Sequence, residues 1–309
     1  MLGFGPRVAM WLLLLGAVIE TRAQDAVTGP EEVQALRERL TEREDETRVE
    51  EPLIVDFLGR PLALTGQYDV ALEHYDRLAL GDPAKRRGQL LLDQELELEA
   101  FYTFSKSLSF FAQLRLGLEE DLDSETPEGA SGFFAERGEM WLFLKNVVGS
   151  RFSLDLGRLN FEDDRRWWWD EELDAVRLIY EAGGFEIAVA AAHEIAPARS
   201  DRSFIEPEHD GVFRAIAELS WDWRPDHAVQ FFALFQNDRS ATEIPRAIIR
   251  RARNDESEAE LAWMGFRAAG ACDFGGRGAL GYWLDAGGVI GNERRAVAEE
   301  LPDGIGSRG

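Results

Sequence analysis

The chain has 309 residues, 34 basic and 58 acidic, for a formal charge of −24. Apolar residues make up 45% and aromatics 11%, which excludes a disordered chain, and the length suits one large domain or two ordinary ones. The acidic balance excludes a nucleic-acid footprint, although clustered arginines can still oppose the global sign locally.

The N-terminus, residues 1–23, reads as a secretory signal peptide. Arg7 supplies the positive start, Ala9–Ile19 is an uncharged apolar run, and Thr21-Arg22-Ala23 offers a small-residue cut site. Such a run spans about 16 Å as a helix, against about 30 Å of hydrocarbon, so it is too short for a permanent membrane helix. The mature chain is expected to start near Gln24 and to work in the periplasm or beyond. Residues 24–52 form a charged helix and linker. "EEVQALRERLTEREDETRVEE" places Val33, Leu36 and Leu40 at helical spacing, then turns into a solvated run that Pro52 closes. The plain expectation is an exposed helix; the sharper one is a contact with a periplasmic partner.

From Pro61 the hydrophobic period changes to two. Leu62, Leu64, Tyr68, Val70 and Leu72 share one parity, against Thr65, Gln67, Asp69 and Glu73. Leu90, Leu92, Leu96, Leu98 and Ala100 oppose Asp93, Glu95, Glu97 and Glu99. Leu108, Phe110, Ala112, Leu114, Leu116 and Leu118 oppose Ser109, Gln113, Arg115 and Glu119. Met140, Leu142 and Leu144 then oppose Arg137, Glu139 and Lys145, and the alternation recurs at 152–156, 176–180, 185–191, 213–223 and 229–236. Weaker alternation marks 261–271 and 279–290. Strands produce this period automatically and helices cannot, so about eleven strands are predicted. Short connections (105–107, 148–150, 183–184, 224–226) alternate with long ones (119–135, 161–172, 194–210, 237–257). That is the signature of an up-and-down barrel with one tight rim and one elaborate rim.

Strand length argues for a membrane. Soluble strands average five or six residues. Twelve residues at about 3.3 Å each, tilted near 40°, rise about 30 Å and span a bilayer. One parity is apolar and the other carries carboxylates, arginines and glutamines, as lipid outside and a wet lumen inside demand. Trp221 and Trp223 near a strand end fit an interfacial girdle. An odd count conflicts with the even strand numbers of bacterial barrels, and the chain ends in "LPDGIGSRG" rather than on an apolar strand. The expectation is therefore a barrel over residues 53–309 that is incomplete at its C-terminus.

The stretch Gly157–Leu178, "GRLNFEDDRRWWWDEELDAVRL", closes one strand, crosses a long loop and opens the next. Together with "ERGEMWLFL" upstream, "DQELELEAFY" (Asp93–Tyr102) and "YWLDAGG" (Tyr282–Gly288), it resembles the alginate-export family of outer-membrane barrels. The resemblance covers most of Leu62–Gly288. It implies an all-β, antiparallel up-and-down transmembrane barrel of about eighteen strands. It also implies a passive conduit for an anionic exopolysaccharide, with an arginine-rich constriction shaped by inward-folded loops. Its partners would be the polysaccharide, outer-membrane lipid and periplasmic export proteins, with no cofactor.

The residue chemistry points the same way. Arginine forks hold carboxylates in pairs, and tryptophan faces stack on sugars and on guanidinium. Arg115, Arg137, Arg158, Arg165, Arg166 and Arg177 are the candidate lumen or constriction cations. Trp167, Trp168 and Trp169 are the aromatic contacts. Asp163, Asp164, Asp170, Glu171, Glu172 and Asp174 would orient the arginines and keep polymer binding weak enough for release. Arg158 shares the parity of Leu154 and Leu156, so a regular strand would face it to lipid; a bulge at Gly157 would turn it inward.

No catalytic constellation is evident. His74, His193, His209 and His227 have no metal spacing, and no nucleophile elbow occurs. Cys272 is the single cysteine and reads as a small buried hydrophobe. "EEDLDSE" (Glu119–Glu125) reads as a solvated acidic loop rather than a calcium site. Two other readings stand beside the exporter: a general anion-preferring outer-membrane porin, and a soluble carbohydrate-binding β-domain.

Overall fold

A computed structural model describes residues 29–41, 51–76, 88–122, 132–147, 150–162, 170–206, 209–239, 257–274 and 278–295. The expected signal peptide, residues 1–23, and residues 163–169 lie outside the described residues. The described residues are all-β, with twelve antiparallel strands in up-and-down, chain order. They are β1 (Leu53–Phe57), β2 (Arg60–Asp76), β3 (Gly88–Ser105), β4 (Leu108–Asp121), β5 (Gly132–Leu144), β6 (Phe152–Glu162), β7 (Asp170–Ala182), β8 (Phe185–Ala192), β9 (Val212–Arg224), β10 (His227–Asp238), β11 (Ser257–Asp273) and β12 (Ala279–Arg295). The one helix among the described residues is α1, Pro30–Thr41.

The chain divides into two compact units, Met1–Glu172 with Ala198–Asp201, and Leu173–Pro197 with Arg202–Gly309. The division falls inside the segment 53–309 that the sequence presents as one run of strands. Neither unit closes on itself among the described residues.

In the first unit the alternation becomes two distinct faces. Leu96, Leu98 and Ala100 pair with Leu116, Leu114 and Ala112, while Glu97 and Glu99 pair with Arg115 and Gln113. Directly paired residues of antiparallel strands project to the same side. The apolar face is the exposed one: Leu72 is 63% exposed, Leu114 41% and Phe133 66%. The polar face is the buried one, with Glu99 at 5% and Glu139 at 2%. The second unit repeats this, with Phe231 at 51% and Met264 at 55% against Arg214 at 5% and Arg267 at 6%. Burial normally runs the other way, because charged side chains are almost never fully buried unless paired.

The strand count exceeds the predicted one by β1. Its hairpin to β2 turns on Leu58 and Gly59, both left-handed at φ 55° and 74°. Asp56 Oδ1 accepts the Gly59 N–H at 3.1 Å and holds the turn.

Two backbone irregularities decide where the charges point. In the β4–β5 pair, Ala112 faces Met140 but Leu114 faces Arg137, so Gly138 and Glu139 together oppose Gln113. This bulge reverses the parity of β5. Before it, Phe133, Ala135 and Arg137 share the face of Leu118, Leu116 and Leu114. The expectation that Arg137 lies with Glu139 on the polar face is therefore corrected. In β6, Gly157 has φ 142°, and a Cβ there would stand 2.0 Å from Met140 O. Only glycine fits that approach.

The polar face is not uniformly wet. Toward the tight turns, Phe101, Phe111 and Trp141 follow the parity of the glutamates and are buried. Phe111 stacks on Trp141 at 5.2 Å, and Phe101 meets Trp141 edge-on at 6.5 Å. Helix α1 packs against β2 and β3. The exposed helix expected from sequence is corrected: Val33, Arg37 and Thr41 form its buried stripe, one turn apart. Arg37 Nη2 donates to Glu99 Oε2 at 3.2 Å, and Thr65 Oγ1 donates to the same oxygen. The helix meets a carboxylate-bearing face, so an arginine rather than a leucine occupies the centre of its contact. Cys272 is half-buried on β11, opposite Leu280, rather than in a core.

Candidate functional site

Arg115 stands at the centre of β4, flanked by Glu97 of β3 and Glu136 of β5, both its direct register partners. Its Nε donates to Glu97 at 3.3 Å and its Nη1 to Glu136 at 3.4 Å. Nη2 donates to Glu172 Oε1 at 2.6 Å and to Gln113 Oε1 at 2.9 Å. One guanidinium therefore satisfies three carboxylates in a fixed fork, the geometry for which arginine is suited.

Glu172, in the first turn-side residues of β7, is shared. Its other oxygen accepts Arg158 Nε at 3.2 Å. Arg158 is 8% exposed on the side of Glu172, so it is directed to the ionic face rather than outward with Leu154 and Leu156. The expected bulge is corrected: Gly157 and Arg158 keep register with Trp141 and Met140, and Arg158 reaches Glu172 from beside the left-handed Gly157.

A second arginine cluster lies next to this one in the first unit. Residues Ala198–Asp201 lie along β5 through an isolated β-bridge, Arg199 to Glu136. Arg137 N donates to Ala198 O at 3.0 Å, Ser200 N donates to Ala135 O at 2.8 Å, and Ser200 Oγ accepts Ala135 N at 2.8 Å. These groups belong to the stretch of β5 before Met140, which the register with β6 does not reach. This places the Arg199 guanidinium 3.6 Å from the centre of the Phe134 ring. Arg199 also pairs with Glu119 at 3.3 Å and Asp201 at 3.1 Å. The Phe134 ring in turn lies over Gly117, whose absent side chain makes room for it. Burial works against the charge of Arg199. Its hydrogen bond to Asp201 and the fields of Asp201 and Glu119 outweigh that, so its pKa stands above the ordinary arginine value. It remains a cation at every accessible pH.

The residues predicted from sequence separate as follows. Arg115 and Arg158 come together through Glu172, one of the acids expected to orient arginines. Arg137 sits across from Leu114, on the opposite face from Arg115, and is half-buried there. Asp174 is buried and acts on the backbone: its Oδ2 accepts Ile195 N at 3.0 Å and its carbonyl accepts His193 N at 2.9 Å. It thus pins the first residues of the connection that carries Arg199. Asp170 is exposed at the start of β7, and Arg177 is half-buried opposite Ala190. Arg165, Arg166, Trp167, Trp168 and Trp169 lie outside the described residues. Arg199, Phe134 and Gln113 were not singled out by sequence reasoning. The long 194–210 connection was visible, but no periodicity within it marks Arg199 as folding back.

The arrangement holds arginines in place at a fixed spacing while neutralising them, which suits repeated weak contact with an anion better than capture. The sequence matches no protein-family model and no curated protein.

Proposed function

We propose that the chain forms part of an outer-membrane β-barrel that conducts an anionic polysaccharide. The ionic face of the first unit would line the path. The observation that carries this reading is the inverted exposure: half-exposed leucines and phenylalanines on one parity, buried glutamates and arginines on the other. A soluble β-protein would be expected to bury the former. Lipid against the apolar parity and a wet lumen against the polar one accounts for both. Strand length agrees. The 14 residues of β4, at about 3.3 Å each and a tilt near 40°, rise about 35 Å. The aromatic side chains near the tight turns fit a girdle, including Phe185 stacked on Trp221 at 5.3 Å. The apolar N-terminal run is consistent with export, and the resemblance to alginate exporters supplies the cargo class.

Mechanistically, a uronate carboxylate reaching Arg115 would exchange with Glu97 or Glu136, whose contacts are long at 3.3 and 3.4 Å. Glu172, at 2.6 Å, keeps the guanidinium aimed while this happens. When the polymer advances, the displaced glutamate returns. Such exchange gives binding that is weak enough to leave, which conduction requires. Arg199 over the Phe134 ring would offer the sugar a neighbouring surface to slide on.

Planar-bilayer recording of the protein tests this. Uronate oligomers should block the current in a voltage-dependent manner, and replacing Arg115 and Arg158 by alanine should weaken the block at least about tenfold, the loss of charge-assisted contacts. Equal block by neutral oligosaccharides would favour a general porin. Absence of any conductance together with tight binding to soluble sugar would favour a carbohydrate-binding β-domain.

A further inference from the structure

The tight-turn end of the first unit carries a surface that polymer conduction does not use. Its β1–β2 turn is Leu58-Gly59, both left-handed. Asparagine or aspartate is the usual residue ahead of such a glycine, because a short polar side chain tolerates this backbone. The other left-handed positions outside glycine, among the described residues, are Asn146 and Asp226, and they obey that preference. Leu58 does not, and at 81% exposed it gains little packing to offset the strain. An outlier of this kind points to a use beyond the fold. Beside the turn, the Phe57 ring meets Tyr102 edge-on at 5.6 Å, and Tyr102 meets Phe104 edge-on at 5.0 Å. Phe57 and Phe104 are exposed, and Tyr102 shares the outward parity of Leu96 and Leu98.

The charge here opposes that of the chain. Arg60, Lys106, Lys145 and Arg151 stand on three consecutive tight turns. Arg60 Nη1 donates to Phe104 O, two residues from Lys106, and Lys145 N donates to Ser107 O at 2.8 Å, one residue from it. Arg151 lies on the same β5–β6 connection as Lys145, beyond the Leu144–Leu154 pair. Among the described residues the side chains of Lys106, Lys145 and Arg151 make no hydrogen bond or ion pair. The one carboxylate on these turns among the described residues, Asp56, accepts the Gly59 N–H. The long-loop ends of the same strands carry Glu73, Glu119, Glu120 and Glu162 instead. A chain of formal charge −24 thus gathers unpaired cations at one end of this unit, interleaved with outward rings.

We propose that this end seats on anionic phospholipid of the leaflet it faces. The inference rests on the membrane reading. Lysines and arginines beside a membrane are drawn to anionic headgroups, and their aliphatic stems lie along apolar surface while the charge stays at the phosphate. The Phe57–Tyr102–Phe104 row sits at the level where aromatic side chains collect. Leu58 enters the acyl boundary, which supplies the burial that its strained backbone lacks within the protein. The anionic polymer alone would meet the cations and leave Leu58 in water.

The test is native mass spectrometry of the detergent-folded protein with equimolar phosphatidylglycerol and phosphatidylcholine. Phosphatidylglycerol should be retained at least about tenfold over phosphatidylcholine, since each cation near an anionic surface contributes about fivefold. Lys106→Gln with Lys145→Gln and Arg151→Gln should abolish the preference while keeping the heat-shifted band of a folded barrel, and Lys106→Arg with Lys145→Arg should retain it. A bimane label on Leu58→Cys, in a Cys272→Ser background, should be quenched by acyl-brominated lipid in vesicles. Equal retention of the two lipids by the wild-type protein, an undiminished preference in the triple glutamine variant, or an unquenched label overturns the proposal. So does a wild-type protein without lipid preference whose triple variant weakens uronate block from the tight-turn side, which would assign the cations to polymer entry. Insertion into vesicles is scored separately by protease protection: a protein that inserts without lipid preference refutes this surface alone, and one that does not insert refutes the membrane reading with it.

Discussion

Phe231 offers the sharpest discrimination between lipid and water. It sits near the middle of β10, paired with Leu219 and Phe266, with the Phe266 ring 6.3 Å away, and it is 51% exposed. About 100 Å² of its side chain is covered by neighbours, half of what a phenylalanine can bury, and at ~25 cal/mol per Å² that is worth about 2.5 kcal/mol. Phe231→Ala retains part of this cover and should cost about 1–2 kcal/mol in either environment. Phe231→Arg is where the environments part. In water the added guanidinium sits on the open half and should change stability relative to alanine by no more than about 0.5 kcal/mol. At the middle of a bilayer it should cost a further ~2–4 kcal/mol, about 30- to 900-fold in the folding constant. The assay is equilibrium denaturant titration of both variants folded into phospholipid vesicles, followed by the heat-shifted band in SDS. If Phe231→Arg proves as stable as Phe231→Ala in vesicles, hydrocarbon does not touch this face, and the inverted exposure needs another cause.

Three further outcomes follow from the geometry. Glu172→Gln removes the shared anion between Arg115 and Arg158; reversal potentials should move toward anions and uronate block should tighten several-fold, whereas unchanged selectivity would place this cluster off the conduction path. Arg37→Ala leaves Glu99 buried without its cation and should lower stability by about 3–5 kcal/mol by denaturant titration, while Arg37→Met with Glu99→Leu should recover most of it. Gly157→Ala forces a side chain into a left-handed backbone against Met140 O and should cost at least about 1–3 kcal/mol, read as a lower unfolding midpoint.

The strands were legible because their alternation is enforced over long runs: Leu96 and Leu114 stand on one side and Glu97 and Arg115 on the other in both sequence and structure. What was not legible is wherever the period breaks. β1 reads "LIVDF", too short and with too little alternation to show a parity, and its turn places a leucine in the left-handed region, which no turn preference would suggest. The reversal at Gly138–Glu139 misassigned Arg137, although a glycine inside a strand is itself a bulge signal and could have been used. At Gly157 the expected bulge does not occur, since Gly157 and Arg158 keep register with Trp141 and Met140; the departure there is the left-handed φ alone. Arg199 had no local signature at all, since its position depends on a stretch of β5 before Met140 that the register with β6 does not reach. The aromatic floor of Phe101, Phe111 and Trp141 was hidden for a different reason: parity tells which side a residue faces, not whether that side is wet at that height.

Three of these irregularities share one neighbourhood. The β5 bulge, the left-handed Gly157 and the bridged segment Ala198–Asp201 all lie where β4, β5 and β6 carry Arg115, Glu136 and Arg158. A regular sheet spaces charges by its own repeat and puts every second residue on the far face. Arg115 keeps the regular repeat opposite Glu97, the β5 bulge at Gly138–Glu139 sets Glu136 on its other side, and the left-handed Gly157 stands beside Arg158. A bulge and a left-handed glycine each cost stability, and here both stand beside residues of one ionic cluster, Glu136 and Arg158, which share Arg115 and Glu172.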